Sequence, residues 1–152
     1  MPKKKHTRQK QTARPKQPQW QGIEMLWTFA THIDGMLESS QEQYETLQLA
    51  KPKPHVLDDY TVNRVIKVFT TQIADLWVFD EQLRCWQAST LTTEQRQEVT
   101  RLVEQMRRLR EVDNQVLALA KELAKGTIEK VMAKSDEQLG LEFLMGMFKG
   151  ER

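Results

Sequence analysis

Apolar residues return every seven positions along three stretches of the chain, and that repeat restricts the fold more than any other feature. In the first stretch Ile23, Ala30, Leu37 and Tyr44 form one line, with Leu26, Ile33, Ser40 and Leu47 beside it. In the second, Val62, Phe69, Leu76 and Leu83 run next to Ile66, Ile73, Asp80 and Gln87. The third sets Val99, Met106, Asp113 and Ala120 beside Leu102, Leu109, Val116 and Leu123. Residues three and four apart share one face of an α-helix, so each stretch carries a single oily stripe. No useful run alternates with the period of a strand. The expected class is all-α.

The punctuation between the stripes sets the boundaries. A first helix is expected from about Trp20 to Leu49, stopped by Lys51-Pro52-Lys53-Pro54, where proline disfavours helix at the residue before it and donates no amide hydrogen. Leu57-Asp58-Asp59 restarts the chain with an aspartate suited to cap exposed amides, and this second helix should end near Ala88. Thr92 followed by Gln95 matches a capping box for the third helix. Glycine is unfavourable inside a helix and favourable just past its end, so a break or bend is expected near Gly126. Ser135 and Gln138 repeat the capping-box pattern, which predicts a last helix from about Asp136 to Phe148.

Short connections force neighbouring helices to return beside one another. The expected fold is an elongated, antiparallel, coiled-coil-like three-helix bundle over 20–126. A disordered basic tail precedes it at 1–19, and a short apolar helical segment follows at 127–152. Centring the turn on Thr90 places Asp113 near Lys67 and Asp80 near Arg101, each seam carboxylate thereby finding a cation. The four tryptophans at positions 20, 27, 77 and 86 are expected to anchor the first two helices to each other, and Cys85 to be a small core or boundary residue.

Charge is distributed unevenly. Of 23 Lys and Arg, seven (Lys3, Lys4, Lys5, Arg8, Lys10, Arg14 and Lys16) lie in residues 1–19 with no acid among them. The other 16 face all 21 acids, which leaves a body of charge −5. A tail with no aliphatic residue beyond Ala13 after Met1 buries too little to offset its ordering entropy. Such a polycation is either a solubilising tail or a phosphate-binding arm, which would add affinity without reading bases. Arg101 and Arg108, one heptad apart on the third helix, are candidates to extend that polyanion-binding surface.

Several chemistries find no support. There is no Gly-rich phosphate loop, no zinc-spaced cysteine pair and no nucleophile elbow. His32, Asp34 and Glu38 suggest a metal only weakly, because the paired Glu-x-x-His motifs of di-metal bundles are missing. No catalytic residue, cofactor or metal is expected. A mean hydropathy of −0.65, no ~18-residue apolar run and no apolar stretch after the basic start argue against a membrane span or secretory signal. The lone Cys85 suits a reducing compartment, and a cytoplasmic location is expected.

The C-terminal segment is the most suggestive part of the body. Leu141, Phe143, Leu144, Met147 and Phe148 crowd one short helix, and a helix apolar nearly all round must be covered somewhere. It either folds onto its own bundle or docks on a protein partner or second copy of the chain. The spacing of 127–134 and 136–148 also mimics a helix-turn-helix, although Leu, Phe and Met suit base edges poorly. Two functional readings result. One is a non-enzymatic interaction module joining a partner protein to a polyanion. The other is a nucleic-acid-binding accessory protein that uses the tail together with Arg101 and Arg108.

Overall fold

The computed structural model describes residues 19–149, and within its last helix the side chains of 134–137, 139, 142, 143 and 146–149 lie outside that description. The described residues form four α-helices: α1 (Leu26–Ala50), α2 (Asp59–Gln87), α3 (Thr93–Leu123) and α4 (Ile128–Lys149). Single 3-10 turns occupy Ile23–Met25, Pro54–Val56 and Ala124–Gly126. No strand occurs among the described residues. The domain is all-α, and α1, α2 and α3 form its core.

The heptad lines supply most of the core, except the second line of α2, where Ile66, Ile73 and Asp80 are only half-buried and Gln87 is exposed. Leu26, Ala30, Ile33, Leu37, Ser40 and Leu47 are buried on α1, and Val62, Phe69, Leu76 and Leu83 on α2. Both lines of the third stretch are buried on α3, Asp113 included. Full burial of one Leu or Val contributes about 1.5–3 kcal/mol, so these stripes dominate the stability. The helix starts are capped as their sequences imply. Asp58 accepts from the Thr61 amide at 2.7 Å. Thr92 accepts from the Gln95 amide at 3.2 Å, while the Thr92 amide donates to the Gln95 side chain at 2.9 Å. Each such cap is worth about 1 kcal/mol.

α3 is the shared partner, packing along both α1 and α2. Asp34 meets Arg101 and Ser40 meets Asp113, whereas Asp80 meets Arg110 and Gln72 meets Asp113. Both carboxylate expectations therefore need correction: Asp113 faces Gln72 rather than Lys67, and Asp80 pairs with Arg110 rather than Arg101. At 1.5 Å per residue, the level of Gln72 and Asp113 means that α3 begins about 7 Å beyond the end of α2. The non-helical Ser89–Thr92 connection supplies that climb, and the long Arg110 side chain spans the further turn back to Asp80.

Four other expectations are corrected. The first helix begins later than Trp20, because the Gln21 backbone is bound elsewhere. Its amide donates to the Gln82 side chain at 2.6 Å, and its carbonyl accepts from Gln82 and from Trp86 Nε1 at 3.2 and 3.0 Å. Of the tryptophans, Trp86 alone is buried, edge-on to Phe29, while Trp20, Trp27 and Trp77 remain about half exposed. Cys85 is exposed too. Finally, α4 runs unbroken through Ser135, so the helix-turn-helix spacing has no counterpart. Helix-forming Glu, Lys, Met and Ala precede Ser135, and one serine costs a helix too little to stop it.

The bend at Gly126 is present. Ala124–Gly126 ends α3 in a 3-10 turn, and Thr127 is extended before α4 starts. A Cβ at Gly126 would lie 2.9 Å from Cβ of Pro54, so glycine allows this corner to close on the α1–α2 connection.

Candidate functional site

The corner at Thr127 positions α4. Thr127 is fully buried and donates from its hydroxyl to Asp59 at 2.6 Å. The Asp59 amide donates to Glu129 at 2.8 Å, the Ile128 amide to the Leu57 carbonyl at 2.8 Å, and Lys130 Nζ lies 3.4 Å from Asp59. The Thr127 hydroxyl, aided by Lys130, holds the Asp59 carboxyl below the usual carboxylate range. The first turn of α4 is thus moored to the start of α2 by polar contacts.

Beyond the mooring, the described apolar side chains of α4 face water. Ile128, Val131, Met132, Leu141, Leu144 and Met145 are all exposed, Leu141 by 59% and Leu144 by 56%. Phe143, Met147 and Phe148 belong to the same sequence cluster and lie outside the described side chains. So do Lys3, Lys4, Lys5, Arg8, Lys10, Arg14 and Lys16, together with the expectation of disorder for the tail.

Four α3 arginines, Arg101, Arg107, Arg108 and Arg110, are engaged by neighbouring acids. Arg101 donates to both oxygens of Asp34, at 2.9 and 2.8 Å, and to Glu98. These bonds hold the Asp34 carboxyl low and push the Arg101 guanidinium up. Gln105 adds a third donor to Asp34 at 3.0 Å. Arg107 bonds Glu104 and Glu111, and Arg108 Nε stands 3.8 Å from Glu104. Arg108 is accordingly the more loosely held of the two arginines singled out by sequence.

One polar layer crosses the core. Ser40 donates to Asp113 Oδ1 at 2.6 Å, and Gln72 donates to Oδ2 at 2.7 Å and to the Ser40 oxygen at 3.2 Å. Burial pushes the Asp113 carboxyl above its usual value, and the two hydrogen bonds and the nearby Arg110 charge offset part of that rise. The layer takes one residue from each of α1, α2 and α3 and separates two apolar clusters. One cluster centres on Ile33, Leu83 and Leu102, the other on Leu47, Phe69 and Val116. A carboxylate so enclosed fixes how three helices align and offers nothing to a substrate.

Among the described residues, no three His, Cys, Asp or Glu side chains come together as a metal site would require. His32 instead stacks on Phe79, with ring centroids 5.4 Å apart. No described helix is long and apolar enough to cross a membrane.

A further surface was not singled out from sequence. Tyr60, Asn63, Arg64, Lys67, Val68 and Thr71 line one concave stretch along α2. Its signal is legible in retrospect: an aromatic, then cations four and seven positions on, all on the face of α2 away from the heptad stripe. Compared with protein-family models, curated proteins and solved structures, the chain finds no match.

Proposed function

We propose that this protein is a non-enzymatic helical interaction module. In this reading α1, α2 and α3 pack as an antiparallel, coiled-coil-like bundle over 20–126, and 127–152 is the contact it presents. The observation that carries the reading is the contrast within α4, whose first turn is fixed by Thr127, Asp59 and Ile128 while Leu141, Leu144 and Met145 stay exposed. A moored helix with an uncovered apolar stripe is the geometry of a helix that docks in a groove or pairs with a copy of itself. Phe143, Met147 and Phe148 extend the stripe in sequence. The basic tail 1–19 acts separately, binding polyanions by counterion release. The lone Cys85 supports a reducing, cytoplasmic setting.

The test is the mass of the intact protein by light scattering, alone and after recovery from its native cell. Leu141→Asp with Leu144→Asp should remove the added mass, whether it comes from a second copy or from a bound protein. An unchanged mass at both steps would refute the interaction reading.

A nucleic-acid accessory role through the tail with Arg101 and Arg108 is the second reading. It requires Arg101 to exchange Asp34 and Glu98 for phosphate, and leaves Arg108 the readier contact.

A further inference from the structure

We infer that the Tyr60–Thr71 face of α2 is a binding surface for single-stranded nucleic acid, in which Tyr60 stacks on a base and Arg64 and Lys67 hold the flanking phosphates. The inference extends the polyanion half of the proposed function from the tail to the folded body.

Three observations carry it. First, Tyr60 is 74% exposed in the first turn of α2, on the side away from the buried Val62, Phe69, Leu76 and Leu83. An aromatic ring so exposed, with Val68 also half exposed two turns on, offers a flat apolar face to a planar ligand. Second, Arg64 and Lys67 line the same concavity as Tyr60, and neither makes an ion pair among the described residues. Arg101, Arg107, Arg108 and Arg110 on α3 each have an acid within salt-bridge distance. The two aspartates nearest Tyr60 are occupied as well: Asp58 caps the Thr61 amide, and Asp59 is held by Thr127 and Lys130. Among the described residues no acid pairs with Arg64 or Lys67, so their charge can meet a ligand. Third, Asn63 and Thr71 put a carboxamide and a hydroxyl on the rim, able to bond sugar or base edges.

The dimensions match a short single strand. From Tyr60 to Thr71 the helix rises about 16 Å, room for two or three unstacked nucleotides. Asp75, one turn beyond Thr71, ends the patch with a negative charge. A duplex has its bases covered and could not stack on Tyr60. Aromatic stacking flanked by cations is how proteins hold single strands without sequence preference.

The test uses the full chain and two probes read by fluorescence anisotropy or competition: an oligothymidylate of about twelve nucleotides and inorganic polyphosphate of similar length. Tyr60→Ala should weaken oligonucleotide binding roughly tenfold and leave polyphosphate binding unchanged, since only the former has a base to stack. Arg64→Ala with Lys67→Ala should weaken both, and lower the slope of log affinity against log salt by about 1.4 for the oligonucleotide, because two phosphates no longer lose their counterions. All three side chains are exposed, and a retained helical spectrum and melting temperature confirm that the variants fold. If Tyr60→Ala leaves oligonucleotide affinity intact, or weakens both probes equally, the stacking surface is refuted. If polyphosphate binds and none of the substitutions affects either probe, the tail alone binds and only this inference falls. If neither probe binds, the inference and the polyanion half of the proposed function fall together.

Discussion

α3 and α4 contain comparable apolar side chains and use them in opposite ways. On α3, Leu102 and Leu109 are fully buried because the heptad spacing sets them between α1 and α2. On α4, Leu141 and Leu144 are more than half exposed, and the helix is fixed instead by hydrogen bonds and an ion pair around Thr127. Apolar periodicity matched by a partner stripe makes a core. The same residue types with no facing stripe make a surface, and a helix bearing one is held by whatever polar contacts its first turn can find.

The contrast is sharpest in the response to truncation. Leu109→Ala should cost about 3 kcal/mol in urea unfolding, the sum of lost transfer energy and a cavity that neighbours only partly fill. Leu144→Ala should change stability by no more than about 0.5 kcal/mol, as for an exposed site away from special features. An equal loss at both positions would show that the α4 stripe is structural and dissolve the distinction between the regions.

The polar layer tests whether the core depends on more than its stripes. Asp113→Ala should cost about 2 kcal/mol, because the Ser40 hydroxyl and the Gln72 amide lose their partner while remaining enclosed. Asp113→Asn should be far milder. Its carbonyl oxygen can still accept from Ser40, and Gln72 needs only to turn its amide over to accept from the new one. Equal losses for the two substitutions would place the importance of Asp113 in its charge rather than its hydrogen bonds.

Next in size is the mooring of α4. Asp59→Ala removes the acceptor of Thr127 and the partner of Lys130, and should lower stability by less than Asp113→Ala does. The loss should be local. Amide exchange at Ile128 and Val131 should accelerate, while the amides around Leu109 keep their protection. Acceleration at both places would mean that α4 and the bundle unfold as one unit.

These differences follow how much each feature depended on long-range geometry. The seams were legible because seven-residue spacing is a property of one helix at a time, and the caps at Asp58 and Thr92 because they involve residues three apart. The break at Gly126 was legible for the same local reason, but the proximity of Pro54 that requires a glycine there was not. Pairings across helices were not legible, Asp113 meeting Gln72 rather than Lys67 and Asp80 meeting Arg110 rather than Arg101, since they depend on how far the Ser89–Thr92 connection climbs. The tryptophans misled because residue type alone does not say which side of a helix is covered: Trp86 faces Phe29, while Trp27 and Trp77 face outward. At the candidate site, the apolar character of α4 followed from composition but its exposure did not, since folding back onto the bundle was equally open, and the engagement of Arg101 by Asp34 joins positions 67 apart. The Tyr60, Arg64 and Lys67 face was present as a spacing, but only the fold shows that Arg101, Arg107, Arg108 and Arg110 pair with acids while Arg64 and Lys67 do not among the described residues.

The smallest expected effect separates two carboxylates of opposite environment. Asp34 is partly exposed, and Arg101 first and Gln105 after it hold its pKa below the ordinary 3.8. The folded state therefore binds this proton less readily than the unfolded state. Its stabilisation is present above about pH 4 and disappears as pH falls through the folded pKa. Asp113 is enclosed, and burial raises its pKa above 3.8. Here the folded state binds the proton more readily, so the favourable contribution exists below about pH 4 and disappears as pH rises through the folded pKa. Urea unfolding of wild type, Asp34→Asn and Asp113→Asn from acid to neutral pH should show the two differences moving in opposite directions. The Asp34 difference should amount to a few tenths of a kcal/mol, because solvent screens an exposed pair even when its hydrogen bonds are bidentate. Two differences of the same sign would mean that Asp113 is stabilised as an anion by Ser40, Gln72 and Arg110 more than its burial opposes it, and the polar layer would then be an ion site within the bundle rather than a hydrogen-bonded spacer.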